Sequence, residues 1–337
     1  MMGGLDQIKT KLITTEDLPL VIESRNEMAL VDLLDLLTHS NSFFKQNLLK
    51  HGGLLFRNFP IHNENDFASV IKALGTGKFI DYVGGDSPRT KIKEGIYTST
   101  EAPPSMKIPL HNELSYVKNY PSHIYFYCAV PAQEGGSTIL GDARKIYQSI
   151  NSAVKQRMVD KELLYVSAYY HQSKLMELIN TFQKGHKPWK DVFETMDPKE
   201  VEKKCLENEI SFKWNQHNWL QISQLRPAAI SHPETQEKVW FNQAHLFDFN
   251  PKLLGWWRYL GTKLLYCREH MRLHQVFFAD HSKIPRNDLY HVLDVLDANT
   301  LSFPWQKGDL LVLDNVLSMH GRATFKGPRR VLTAMTG

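Results

Sequence analysis

Cysteine is scarce: Cys128, Cys205 and Cys267 are the only three in 337 residues. They are odd in number and widely spaced, which excludes a disulfide framework or a zinc-knuckle cluster and predicts reduced thiols. Long apolar runs are missing too. No stretch approaches the eighteen or so residues that span a bilayer, and Met1 to Lys11 has no continuous apolar core of a secretory leader. A soluble, cytoplasmic protein with no membrane partner is therefore expected. The chain also lacks a surplus of one charge sign. Its 40 basic and 36 acidic residues leave a net charge of +4, and the basic ones are scattered rather than striped, so nucleic acid is not expected as a partner. No repeat, low-complexity run or Pro/Gly linker divides the chain. What is present is 42% hydrophobic and 11% aromatic residues, enough for one large domain with a substantial core.

The pattern alternates between helix and short strand. From Glu27 to Lys50 the apolar residues recur at three-to-four spacing, which predicts one or two amphipathic helices ended by Gly52 and Gly53. Leu54 to Phe56 reads as a short strand, and Asn65 to Leu74 as a helix capped by Asn65. Ser122 to Val130 and Ser137 to Leu140 are rich in β-formers and separated by the Gly135-Gly136 turn. The middle third turns lysine-rich and helix-like, at Ala143 to Val159 and Trp189 to Glu207, as expected of an insertion or lid. Strand signals return at Glu209 to Trp214 and Val239 to Phe241, followed by helical stretches over Pro251 to Leu273 and Arg286 to Ala298. Trp256 and Trp257 are expected in the core. Leu310 to Leu313 and Val331 to Met335 close the chain as strands. One domain over 1–337 is expected, mainly β with helical decorations (α+β), with a helical segment over about 1–50, a helical insertion over about 143–207, and a jelly-roll core.

The chemistry concentrates at His111-Asn112-Glu113. On a strand or strand-edge loop, residues two apart point to the same side, so His111 and Glu113 can grip one metal ion while Asn112 faces away. His-x-Glu alone is common and usually marks a surface pair. His320, following the strand Leu310 to Leu313 and the turn at Asp314-Asn315, offers a third ligand; a satisfied core histidine is the plain alternative. Two imidazoles and one carboxylate on one face of an ion form the ligand set of non-haem Fe(II) oxygenases. Arg329 and Arg330 follow, and on a strand only one of them can point inward. A buried guanidinium needs an anion, and its fork suits a carboxylate such as the far end of 2-oxoglutarate. Two solvated edge arginines are the commoner outcome. His217 and His245 lack a carboxylate two residues away and are not expected to ligate.

With these residues in place, the chain resembles the taurine dioxygenase and clavaminate synthase-like superfamily of Fe(II)/2-oxoglutarate oxygenases, in particular its natural-product and amino-acid-tailoring branch. The carriers run from about Gly52 to the C-terminus: GGLLFRNF, YTSTEAPPSMKIPLHNELSY, PAQEGGSTILGD, HPETQEKVWFNQAH and DNVLSMHGRATFKGPRRVLTAM. The resemblance implies a double-stranded β-helix, with His111, Glu113 and His320 as iron ligands. It implies Arg330 as the receptor of the distal carboxylate of 2-oxoglutarate, assisted by Thr138, with Arg329 the lesser candidate. It further implies that Asn112, Ser99, Trp240, Asn242 and Arg322 lie near the substrate cavity, where their bland readings are turn, core and surface roles.

The implied reaction consumes 2-oxoglutarate and O2, releases succinate and CO2, and hydroxylates an unactivated carbon of an amino acid or a derivative, free or tethered to a carrier protein. A carboxylate at position 113 points to hydroxylation rather than halogenation, because related halogenases carry a small residue there. Desaturation, epoxidation or ring closure on the same iron centre stays open, as does a non-catalytic barrel that binds a small carboxylate. A carrier domain would find a lysine-rich docking face between Lys145 and Lys204.

Overall fold

Along His123–Val130, Ile124 and Phe126 point to one side of the strand and Tyr125 and Tyr127 to the other, and all four are buried. That strand lies inside the molecule, with apolar layers on both faces. It belongs to an eight-stranded sheet in the order Ile8–Leu12, Leu20–Ser24, Gly53–Arg57, Leu310–Asp314, His123–Val130, Arg330–Thr336, Ile96–Thr98 and Lys91–Lys93. The pairing is antiparallel except between Leu20–Ser24 and Gly53–Arg57. A second sheet of four antiparallel strands runs Leu301–Ser302, Thr138–Asp142, Ser318–Arg322 and Ile108–His111. The computed structural model describes residues 4–13, 17–80, 89–100, 102–174, 176–177, 187–215, 218–266 and 272–337.

Three apolar layers hold these elements together. Phe44, Leu48, Phe67 and Ile71, from the helices Asn41–His51 and Glu64–Leu74, cover one face of the large sheet over Phe56, Tyr127 and Leu332. Between the sheets, Phe126, Leu311, Leu313, Val331 and Met335 meet Leu140, Phe303 and Trp305. Outside the small sheet, Leu110 and Met319 pack against Ile146, Met158, Trp240 and Leu296. Each fully buried side chain of this size adds roughly 1.5–3 kcal/mol, so these layers carry most of the stability. The bidentate ion pair of Arg57 with Asp309, at 3.0 and 2.7 Å, fixes the turn that launches Leu310–Asp314.

Several sequence expectations need correction. The N-terminal region is not helical throughout: strands Ile8–Leu12 and Leu20–Ser24 precede the helices Leu30–His39 and Asn41–His51. The cap of the Glu64–Leu74 helix is Asn63, whose side chain accepts from Asn65 and Asp66 N–H, not Asn65. Ala143 to Val159 forms two helices, Ala143–Ser149 and Ser152–Lys161, the second capped by Asn151. The insertion is not purely helical, since Leu163–Tyr169 within it is a strand, which joins strands beyond it in an antiparallel sheet in the order Ser211–Trp214, Leu220–Arg226, Leu163–Tyr169, His274–Phe278. Trp256 and Trp257 are 68% and 87% exposed on the helix Trp256–Leu265, not in the core. Cys128 and Cys205 are free and buried, whereas Cys267 lies outside the described residues.

Candidate metal centre

The small sheet places His111 and His320 directly opposite each other on neighbouring strands. Their rings lie 4.5 Å apart. Close approach of the two strands depends on Gly321, where a Cβ would meet the Ile108 carbonyl oxygen at 2.4 Å and that of Pro109 at 2.9 Å. His320 therefore sits in the middle of Ser318–Arg322, not at the end of the preceding strand as the sequence suggested.

Glu113 reaches the same point by a different route. It lies past the end of Ile108–His111, in a turn that continues through Leu114 at φ +53°. Asn315 clamps this turn: its Oδ1 accepts from Glu113 N–H at 2.7 Å, while its Nδ2 donates to the carbonyls of Glu113 (2.9 Å) and Pro121 (2.8 Å). Asn112 is buried and turned away, donating to the carbonyls of Asn315 and Ser318. It serves the turn and does not line the cavity.

One ligand atom each from His111, Glu113 and His320 lies within 4.8 Å of the others. Glu113 Oε2 is 3.5 Å from His320 Nε2. The His111 Nδ1 lies 2.9 Å from the Pro109 carbonyl, so Nδ1 carries the proton and Nε2 keeps its lone pair for an ion, the arrangement usual for ligating imidazoles. Burial, with His320 adding, pushes His111 down to about 3, so the ring is neutral near pH 7. Burial opposes charge on Glu113, yet Arg89, His320 and His111 together outweigh it and hold the carboxyl well below the usual carboxylate range. Neutral imidazoles beside an ionised carboxylate suit a divalent cation.

A small cavity opens beside this cluster, and Arg89, Ser99, Thr100, Phe126, Thr138, Arg322 and Arg329 line it together with the two histidines. A larger cleft lies beside the Trp256–Leu265 helix but contains none of the cluster. Ser99 and Thr138 both face this cavity. The arginine pair is reversed. Arg329 enters the cavity, donating from Nε to the Gly136 carbonyl at 2.9 Å and weakly to Ser99 Oγ at 3.4 Å, whereas Arg330 is exposed. Strand alternation explains this: Val331 and Met335 face the space between the sheets, so Arg329 shares their side, whereas Arg330 shares the side of Leu332. Among the described residues Arg329 has no ion-pair partner, and burial, with Arg322 adding, pulls its guanidinium down to about 10.

Arg322 lines the cavity but is occupied. It donates to the carbonyls of Thr100, Ala102, Pro103 and Met106, which pins the loop before the His111 strand. Trp240 and Asn242 do not reach the cavity. Trp240 is fully buried in the layer outside the small sheet, and Asn242 donates to the Ala228 carbonyl and accepts from Ala244 N–H. His245 is buried with Nε2 at 2.9 Å from the Leu110 carbonyl and is not part of the cluster, and His217 lies outside the described residues. Sequence reasoning missed two residues, Arg89 and Asn315. Arg89 is a lone arginine in a loop and carries no local signal; Asn315 sits in a short polar turn between two apolar strands, which is a usable one.

A sequence model described as "Taurine catabolism dioxygenase TauD, TfdA family" matches residues 14–336. The dapdiamide synthesis protein DdaC of Enterobacter agglomerans is 32% identical over 289 residues, covering 86% of this chain and 83% of its own. A clavaminate synthase-like protein of Arabidopsis thaliana is 29% identical over 292 residues, covering 86% and 82%. Among solved structures, AAD-2 in complex with Mn(II) and N-oxalylglycine superposes with a TM-score of 0.55 at 14% identity, over 98% of this chain and 96% of that one. The chain thus belongs to the TauD, TfdA dioxygenase family and is an oxygenase dependent on Fe(II) and 2-oxoglutarate.

Proposed function

We propose that the protein hydroxylates an unactivated C–H bond of an amino acid or an amino-acid-derived small molecule, free or carrier-tethered, in a jelly-roll core made by the two facing sheets. His111, Glu113 and His320 hold the iron in this reading, and Arg329 takes the distal carboxylate of 2-oxoglutarate. The observation that carries it is a half-buried arginine that, among the described residues, has no carboxylate partner and lines the same cavity as the two histidines of a His-Glu-His cluster. Such a guanidinium is costly to bury, and an entering carboxylate offsets the cost with charge-assisted hydrogen bonds.

The chain's own groups divide the work. Thr138 Oγ1 accepts from Trp305 Nε1 at 3.2 Å, which leaves its O–H proton for the same carboxylate. Ser99 Oγ stands beside Arg329 as a second hydroxyl. Phe126 packs 5.1 Å from the His320 ring and fills one wall with apolar surface that excludes water. When bound, the metal and co-substrate would supply the oxidising power for the hydroxylation. A carboxylate at position 113 supports hydroxylation over halogenation, and the name of the relative DdaC, a synthesis protein, supports a small biosynthetic substrate.

The test is succinate release from 2-oxoglutarate under Fe(II) and O2, screened across amino acids, with product mass read alongside. Hydroxylation predicts a product heavier by one oxygen atom. A product lighter by two hydrogens would replace this reading with desaturation, and iron binding without any consumption of 2-oxoglutarate would leave a binding barrel.

A further inference from the structure

The Glu113 carboxylate is gripped by a residue from outside both cluster strands. Arg89 donates from one terminal nitrogen to Glu113 Oε2 at 2.7 Å, and the two side chains are 3% and 4% exposed. The oxygen it holds is the one that faces His320 Nε2 at 3.5 Å. A guanidinium at this place works against a dication by simple Coulomb repulsion. Its presence needs another reason.

The turn clamped by Asn315 fixes the backbone of Glu113, but a glutamate side chain keeps three torsions beyond it. A carboxylate free to rotate can offer a metal one oxygen or both. The difference matters for an octahedral ion. Two imidazoles and one carboxylate oxygen leave three positions, which a chelating keto acid and O2 fill between them. A carboxylate bound through both oxygens takes one of the three and leaves O2 or the chelate without a place.

We propose that Arg89 is a positioning residue that holds the Glu113 carboxylate by Oε2, so that it engages the metal through one oxygen and the remaining positions stay open. This rests on the reading of His111, Glu113 and His320 as the iron ligands. A charge-assisted bond at 2.7 Å directs one lone-pair lobe of that oxygen at Arg89 and sets the plane of the group. Partners of this kind, which orient a ligand without touching the metal, are typically worth 10–100-fold in metal affinity or activity.

Cobalt(II) in place of iron gives a readout independent of turnover, because its visible absorption reports coordination number. Cobalt and 2-oxoglutarate are titrated into the native chain, Arg89→Gln and Arg89→Lys, with circular dichroism and thermal melting showing that each is folded. The proposal expects Arg89→Gln to bind cobalt with an altered spectrum and to bind 2-oxoglutarate at least about 10-fold more weakly. Arg89→Lys, which keeps the charge with a single ammonium, should recover part of both. An unchanged spectrum and unchanged 2-oxoglutarate affinity in Arg89→Gln overturns it, as does a tighter cobalt site with native 2-oxoglutarate binding, the signature of a purely Coulombic role. If Arg89→Gln does not fold, Arg89→Lys decides alone: a cobalt spectrum and a 2-oxoglutarate affinity both identical to those of the native chain overturn the proposal that the guanidinium sets the plane of the carboxylate. Failure of the native chain to bind cobalt at all would instead sink the ligand assignment.

Discussion

Among the described residues Arg329 meets the Gly136 carbonyl, the Ser99 hydroxyl and the Phe325 ring but no carboxylate, and that imbalance makes it the anion receptor in this account. Replacing it by glutamine should weaken 2-oxoglutarate binding roughly 10–100-fold, the worth of one or two charge-assisted hydrogen bonds. Arg330→Gln should leave the affinity unchanged. Calorimetric titration of both variants checks the pair. The choice between these neighbours was legible in principle, because alternation from Val331 and Met335 places position 329 with them. It was obscured because both faces of Arg330–Thr336 are buried, so the apolar pattern does not say which face looks at the cavity. His111, Glu113 and His320 were candidates by residue type and spacing and became one set only through the family resemblance; the structure brings the three together. The role of Arg89 was not, since its contact with Glu113 spans 24 positions and follows no motif.

Two neighbouring strands make the cluster possible, and Gly321 sets their distance. Gly321→Ala should push Ile108–His111 away from Ser318–Arg322, because the new methyl would press on two backbone carbonyls that have no flexible end to move. The expected result is a divalent-metal affinity at least about 10-fold lower in a chain that still folds, measured by cobalt titration and circular dichroism. Native affinity in Gly321→Ala would show that the strand spacing tolerates a side chain. At this scale the sequence was informative for long or strongly patterned elements, and Arg286–Ala298 matches its expected bounds. It was weak in the insertion and in the stretch just after it. Leu163–Tyr169 is an almost continuous apolar run, which does not separate strand from buried helix, and the alternation in Leu220–Arg226 was masked by its polar residues. Trp256 and Trp257 read as core because of their size, yet they project from a helix whose inner face is carried by Tyr259 and Thr262.

Across the whole molecule, burial of titratable groups ties stability to pH. His111, His245 and His274 are pushed down to about 3, 4 and 3, burial being the first cause in each. Each ring is neutral in the folded chain and takes up a proton readily only when unfolded, so its contribution is present above about 6.5 and is lost as pH falls toward 3–4. Metal-free protein should lose on the order of 1 kcal/mol per ring per pH unit below about pH 6, read as a falling urea midpoint. A midpoint flat from pH 7 to 4.5 would contradict this. On the alkaline side, burial raises Cys128 to about 12 and Cys205 to about 11. Native protein at pH 8 should leave both unalkylated by iodoacetamide, with labelling at these sites only after denaturation.

The central claim is that one cavity holds iron through His111, Glu113 and His320 and draws 2-oxoglutarate onto it through Arg329. The most direct measurement is an anaerobic titration of 2-oxoglutarate into the Fe(II)-loaded chain, followed by the visible absorption of a keto acid chelated to iron. The account predicts the band in the native protein and in Arg330→Gln, a 10–100-fold shift to higher 2-oxoglutarate in Arg329→Gln, and no band in His320→Ala. A band that survives in His320→Ala, or that depends on Arg330 and not on Arg329, would contradict it.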